Sequence, residues 1–391
     1  MRRAIVCFIV IVTVVVPAFG WGRRGHGLAT RVATAGLPEE LPAFFRQAGE
    51  RLAYQASEPD RWRHSSAPAL TNATTINHGF KVETWGAESF PATRGDLVLA
   101  AVKRGTIREG NMIEFGSGPV GAAEMAERLV LDLRYWREAT AETEAERQVL
   151  RQLEDNVLYT AGVLAHYVTD LSNPLHASVH SGGWVPGYPN PRGFALRPAD
   201  GIHSRFESLY VQEVVTEREV AERLTPVRRL GPWIKELEQH TRRSNSFVEA
   251  IYEFDKKAPF GSGKEPVEAR AFTAARLAEG ASMLRDIWYT AWLISREQWL
   301  NEPIAYVGRK GRTLLEQMQE LNDVEPRHHL ETRRENGILR VVRIDNRKDG
   351  LDGRQWRCYL NGKLVTVPID KQVTSVNDRI EWRFERTAAS Q

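Results

Sequence analysis

Tyr159-Thr160-Ala161-Gly162-Val163-Leu164-Ala165-His166-Tyr167-Val168-Thr169-Asp170-Leu171-Ser172-Asn173-Pro174-Leu175-His176 reads as the end of a long helix followed by an abrupt stop. Upstream, Val149, Leu150, Leu153, Val157, Leu158, Val163 and Leu164 recur at mixed three- and four-residue spacing, which predicts a helix over about Glu142 to Leu171. Pro174 has no backbone N–H and disfavours helical geometry in the residue before it, so the helix ends there. His166 and Asp170 stand at i and i+4, and one helical face carries both. His176 lies just past the proline, where the chain is expected to turn back towards the same helix end.

Outward from this stretch the pattern stays helical from Trp21 to about Leu300. Gly27 to Ala35, Glu124 to Trp136, about Ile202 to Arg223, and Glu268 to Trp299 predict further helices. Ser172 to Ala199 holds five prolines and four glycines and predicts a loop. Its Trp184, Tyr188 and Phe194 are expected to be available to stack on a base or dip into a lipid surface. Residues 301–329 read as a helical connector, with one helix over Arg312 to Leu321. Beyond about residue 330 the pattern alternates through Ile338–Ile344, Trp356–Leu360, Leu364–Val367 and Ile380–Phe384. Asn361-Gly362 between two of these runs is a strong hairpin signal. The expected fold class is mainly α, a multi-helix domain over 21–300 with a small C-terminal β module over 330–391.

The chain has 391 residues, 42% hydrophobic and 26% charged, a mix that excludes wholesale disorder and collagen-like structure. Residues 1–20 read as a secretory leader. Arg2 and Arg3 precede an apolar run from Ala4 to Val16, too short for a comfortable membrane span, and Ala18-Phe19-Gly20 suits signal peptidase. The expected location is therefore secreted or periplasmic, with cleavage between Gly20 and Trp21. The 53 basic residues stand against 50 acidic ones, and losing Arg2 and Arg3 leaves 51 against 50. Such a balance argues against global attraction to polyanions and leaves room for a local basic patch. Only Cys7 and Cys358 are present, and loss of the leader removes Cys7, so no intrachain disulfide is expected.

The histidines carry the functional signal through their spacing to carboxylates. His203 and Glu207 repeat the i, i+4 pair of His166 and Asp170. Asp60 and His78 lie in loop-like sequence, and His26 follows Trp21 by five residues. Imidazoles and carboxylates in such numbers suit zinc, with bonds of about 2.0–2.2 Å, whereas calcium cages of oxygen would not use five histidines. His64, His240, His328 and His329 read as ordinary surface or core histidines.

These residues resemble a known superfamily, the zinc-dependent phospholipases C and the single-strand-specific zinc nucleases. His166-x3-Asp170-x5-His176 is similar to their central motif, and Gly201-Ile202-His203-Ser204-Arg205-Phe206-Glu207 to the closing segment of the phospholipases. Trp21-Gly22-Arg23-Arg24-Gly25-His26 resembles the opening of the nuclease branch, and Glu58-Pro59-Asp60 and Asn77-His78-Gly79-Phe80 fall where the family places its Asp and next His. The resemblance spans roughly 21–300. It implies three zinc ions: one on Asp60, His78, His166 and Asp170; one on the α-amine and carbonyl of Trp21 with His26 and Asp170; one on His176, His203 and Glu207. Asp170 would bridge two ions. His180 competes with His176 in this reading.

The resemblance implies phosphodiester hydrolysis, with a metal-activated hydroxide attacking phosphorus. Asp60 would orient or deprotonate the nucleophile, and Arg63 would hold a phosphate oxygen. The substrate is a phospholipid or single-stranded nucleic acid. The closing segment and the near-neutral mature chain lean towards phospholipase C; the opening motif favours nuclease. A zinc-stabilised envelope binding protein without catalysis is the third reading. A peripheral contact with a membrane surface fits the first, and no obligate protein partner is implied.

Overall fold

The computed structural model describes residues 21–108, 112–113, 115–196, 201–324 and 329–387. The leader expected over residues 1–20, and His328, lie outside the described residues. The helical body is built round helix α1 (Gly22–Ala35), α2 (Gly49–Gln55), the short α3 (Glu58–Arg61), α4 (Gly118–Glu138), α5 (Glu144–Asp170), α6 (Trp233–Asn245) and α7 (Val267–Asn301). Among the described residues no helix is long and apolar enough to cross a membrane.

Helix α5 is the axis of this body. It starts on a capping box, in which Thr143 Oγ1 accepts from the Glu146 N–H and the Glu146 side chain accepts from the Thr143 N–H. Its first half is largely exposed, and from Leu158 onward all but Tyr159 are buried, so the periodic stripe gives way to burial all round. α4, α7, α2 and α1 supply the wall. At Gly162 a Cβ would stand 2.4 Å from Gln55 Cβ, so only glycine lets α2 come this close.

Past Pro174 the chain reverses as expected. The Phe80 N–H donates to His176 O (3.0 Å) and the Val82 N–H to Ala177 O (3.1 Å), tying 79–82 to the returning strand of loop. A Cβ at Gly79 would meet His176 O at 2.4 Å. This close approach brings His78 and His176 to one place.

Several expectations need correction. α1 begins at Gly22 rather than Gly27, so His26 lies inside a helix. The helix expected over Ile202 to Arg223 is broken into Ile202–Ser204, a π-helical turn over Arg205–Tyr210, Val211–Val214 and Glu217–Ala221. The break has a local cause: Thr216 and Glu219 form a fresh capping box and start a new helix. The loop aromatics Trp184 and Phe194 are buried, packed on Tyr252 and His180, because a glycine- and proline-rich chain supplies no core of its own and borrows one.

The C-terminal region holds antiparallel sheet, with strands β1 (Ile304–Val307), β2 (Leu330–Glu335), β3 (Ile338–Ile344), β4 (Arg347–Lys348), β5 (Arg354–Leu360), β6 (Lys363–Leu364) and β7 (Arg379–Arg386). They form two sheets, ordered β1-β7-β5-β6 and β2-β3-β4. Asn361 and Gly362 both adopt positive φ, 50° and 79°, as a two-residue hairpin demands. Residues 301–329 are not purely a helical connector: β1 pairs with β7, and Leu314 and Met318 of the helix Leu314–Val324 enter the same core as Trp356 and Trp382. Four residues are too few for alternation to show.

Candidate metal centre

Asp170 ends α5 with no exposure to solvent, and its two oxygens face different imidazoles. Oδ2 lies 3.1 Å from His166 Nε2 and 3.1 Å from His78 Nδ1, and those two nitrogens are 2.9 Å apart. Asp60 Oδ1, from α3, is 3.8 Å from the same His78 nitrogen and 3.9 Å from the same His166 nitrogen. Four ligands held at about 2.1 Å round one tetrahedral ion would stand about 3.4 Å apart. Asp170 Oδ1 faces the other way, 3.3 Å from His26 Nε2. His26 also groups with Asp60 and His166.

A second cluster abuts the first. His203 Nε2 is 2.7 Å from Glu207 Oε2, His176 Nε2 is 3.3 Å from it, and the two imidazole nitrogens are 3.0 Å apart. A π-helical turn begins between the two members of this i, i+4 pair and carries Glu207, the kind of insertion that recurs at functional sites. His176 Nδ1 is 3.6 Å from Asp170 Oδ2, so the clusters share a wall.

The outer hydrogen bonds decide which nitrogen each ring offers. Thr169 Oγ1 donates to Ala165 O (2.7 Å), so towards His26 it can only accept, and His26 Nδ1 donates to it (2.7 Å). His166 Nδ1 donates to Ala56 O (2.8 Å), His203 Nδ1 to Ser181 O (3.0 Å), and His176 Nδ1 to His78 O. Each ring therefore turns Nε2 inward. A neutral ring in that tautomer directs a lone pair at a carboxylate, which repels unless a proton or a cation lies between. Asn173 Nδ2 donates to Glu207 Oε2 (3.1 Å) and holds it.

The electrostatics show the same tension. Burial opposes charge on His166, yet Asp170 and Asp60 outweigh it and hold the imidazole up at about 9. Burial, helped by the neighbouring His166, pushes His78 down to about 4; burial, helped by Arg63, does the same to His203; and burial with His166 lowers His26. Asp170 is held well below the carboxylate range because His176, His166 and His26 together overcome its burial. Burial drives Glu207 well above that range.

The residues fit bound cations on an independent count. His26 Nε2, Asp60 Oδ1, His78 Nε2, Asp170 Oδ1 and Glu207 Oε1 are buried without a hydrogen-bond partner. Unpaired buried polar atoms are costly and rare, and three of these, His26 Nε2, Asp60 Oδ1 and Asp170 Oδ1, face the neighbouring groups of the cluster. Among the described residues three groups of side chains are compact enough to hold an ion: His26 with Asp60 and His166; His78 with His166 and Asp170; His176 with His203 and Glu207.

The structure thus brings together His26, Asp60, His78, His166, Asp170, His176, His203 and Glu207. Trp21 joins them: it is fully buried, and its Nε1 donates to Thr169 O (2.7 Å), next to Asp170. Arg63 Nη1 stands 3.8 Å from Asp60 Oδ1 at the opening. His180 does not compete with His176. It accepts from the Val185 N–H (3.0 Å) and stacks on Trp184 at 3.8 Å. His240 is buried but belongs to none of these groups, His64 is paired with Ser66, and His329 with Glu146. Sequence reasoning missed Thr169, Asn173 and Ala56. A helical threonine beside Asp170 that bonds back to i−4 was the available signal for the first.

No protein-family model matches the chain, and a sequence comparison with curated proteins finds no match. Among solved structures, the alpha-toxin of an avian strain of Clostridium perfringens is similar at 10% identity and a TM-score of 0.36, over 95% of this chain and 83% of that one. The alpha toxin of Clostridium absonum is similar at 10% identity and a TM-score of 0.38, over 93% and 82%. Likeness at that level fixes neither activity nor substrate.

Proposed function

We propose that the chain is an exported zinc-dependent phosphodiester hydrolase of phospholipase C type. The observation that carries this reading is the shared Asp170, whose two oxygens face His78 with His166 on one side and His26 on the other. Trp21, His26, Asp60, His78, His166, Asp170, His176, His203 and Glu207 would hold three ions. Such ions, when bound, acidify water and draw off charge building on phosphoryl oxygens.

The chain's own groups do the rest. Asp60, buried at the cleft wall with no hydrogen bond to Oδ1, is placed to orient the attacking water and take its proton. Arg63 is placed to grip a non-bridging oxygen of the diester. Thr169, Ala56 and Ser181 hold the imidazoles in the one tautomer that leaves Nε2 free. The burial of Trp21 against Thr169 is consistent with cleavage after Gly20, which would free the α-amine of Trp21.

The arginines along the same cleft favour a second reading, a single-strand-specific nuclease. The test is purification of the exported protein, N-terminal sequencing and elemental analysis. Parallel assays then follow on phosphatidylcholine vesicles, single-stranded DNA and a simple aryl phosphodiester, with and without a chelator. Zinc in the purified protein and chelator-sensitive lipid cleavage are expected. Zinc without cleavage of any diester would leave a zinc-stabilised binding protein.

A further inference from the structure

The cleft that opens onto Asp60 has a volume of about 720 Å³ and a wall rich in arginine. Three of these already face carboxylates of the chain. Arg31 pairs with Glu217, Arg63 stands 3.8 Å from Asp60, and Arg61 pairs with Glu58 while lying 4.3 Å over the Tyr54 ring. Arg23 and Arg24 differ. Both are exposed on the cleft, and among the described residues neither is joined to a carboxylate. Both also sit in the first turn of α1, which contains no acidic residue. Cations are disfavoured at that end of a helix, where the backbone N–H groups concentrate positive charge. Local rules broken without internal compensation concentrate at functional sites.

An independent atom points the same way. Ser57 is only 5% exposed, lines the same cleft, and its Oγ has no hydrogen-bond partner. It is a buried hydroxyl without a partner in the wall of the cleft that also carries these two guanidinium groups. Phosphate oxygens accept from both kinds of donor, and guanidinium forks suit them best.

The same wall is wrong for two other headgroups. A quaternary ammonium seeks aromatic faces and is repelled by arginine. A nucleobase seeks an exposed aromatic platform. Among the described residues lining the cleft, the aromatic rings are those of Trp21, which is fully buried, and His64.

Resting on the hydrolase reading, we propose that Arg23, Arg24 and Ser57 form a second-anion subsite that selects phosphodiesters whose headgroup carries a further phosphate, of the phosphorylated inositol kind. The scissile phosphate sits at the Asp60 end of the cleft and the further phosphate at the mouth of α1.

The test uses the purified full-length protein with its metals, the variants Arg23→Ala/Arg24→Ala and Ser57→Ala, and Arg333→Ala as a surface control. Two quantities are read: binding of inositol trisphosphate by calorimetry, and the ratio of kcat/KM on phosphatidylinositol bisphosphate vesicles to that on phosphatidylcholine vesicles. A water-soluble glycerophosphoinositol bisphosphate repeats the assay without a membrane. The ratio is expected to exceed one in the natural protein and to fall at least about tenfold in the double variant, with a parallel loss of inositol trisphosphate binding. Ser57→Ala lowers both by less, and Arg333→Ala moves neither. The soluble diester should show the same selectivity. Selectivity on vesicles alone would mean attraction to surface charge and would overturn the subsite. So would a ratio untouched by the double variant, or loss in that variant of single-stranded DNA cleavage with no inositide hydrolysis. If no diester is cleaved yet inositol trisphosphate binds and the double variant loses it, the hydrolase reading fails and the subsite stands.

Discussion

Asp170 Oδ1 stands 3.3 Å from His26 Nε2 while the other oxygen of the same carboxylate serves His78 and His166. One fully buried carboxylate therefore faces imidazoles on both sides, as the proposed bridge between two ions requires. Asp170→Asn keeps the shape and removes the charge. It is expected to lose more than one zinc per chain and to abolish turnover, with helical circular dichroism preserved. Elemental analysis after gel filtration checks it; loss of one ion or none would disprove the bridge.

Glu207→Gln should act on one ion alone. Glu207 is the carboxylate of the His176 and His203 cluster, and among the described residues no hydrogen bond or ion pair joins it to the Asp60 set. The variant is expected to lose a single zinc while a chelator titration still shows the remaining ions. Loss of all metal would mean that the clusters do not fill independently.

Thr169 touches no expected ion, and Thr169→Val tests the tautomer argument. The substitution keeps the β-branch and removes the oxygen that accepts from His26 Nδ1. Loss of such an outer partner typically weakens metal binding by about 10–100-fold. The expected result is weaker binding of one ion in chelator competition, with inorganic content unchanged when zinc is in excess.

Much of this arrangement was legible in the sequence, and the rest was hidden for physical reasons. The i, i+4 rule puts His166 and Asp170 on one helical face, and they lie 3.1 Å apart. Pro174 marks a helix end, and Asn361-Gly362 marks a hairpin, because both act through local backbone sterics. The π-helical turn over Arg205–Tyr210 leaves no mark, since shifting a few hydrogen bonds by one residue changes no hydrophobic period. β1 hides because its pairing partner β7 comes some seventy residues later, and its four residues carry no pattern. Trp184 and Phe194 looked available because their segment is a loop, but their burial depends on Tyr252, contributed by a distant helix. The role of Thr169 depends on His26, 143 positions away.

Acidity should control metal uptake. In the metal-free protein the carboxylates of Asp170 and Asp60 outweigh burial and hold His166 at about 9, so at neutral pH this ring carries a proton where an ion would sit. Zinc must displace it. The stability that this charged ring gives the metal-free fold is fully present below about 6.5 and is lost as pH rises through about 9. The two effects run in opposite directions. Chelator competition at pH 6, 7.5 and 9 should show zinc binding tightening as pH rises, with proton release on binding falling over the same range. Thermal melts of the chelated protein should fall from pH 6.5 to 9. Zinc affinity that stays flat across this range would remove the proton from His166.

Gly162 links the packing of the body to the chemistry of the cluster. It lies one turn before His166, where α5 meets α2, and an added Cβ would stand 2.4 Å from Gln55 Cβ and 2.8 Å from Gln55 Oε1. The clash is with Cβ, which cannot swing away, so the two helices must part. Ala56, which caps α2, supplies the carbonyl that accepts from His166 Nδ1 at 2.8 Å. Moving α2 therefore loosens the bond that sets the His166 tautomer. Overpacking of this kind costs about 1–3 kcal/mol, and the helix-propensity gain of alanine over glycine returns only about 1 kcal/mol. Gly162→Ala is expected to lower the melting temperature of the chelated protein and, separately, to weaken zinc binding through His166. A substitution that raised stability, as glycine to alanine does in an uncrowded helix, would show that α2 yields freely. The coupling between this contact and the metal centre would then be absent.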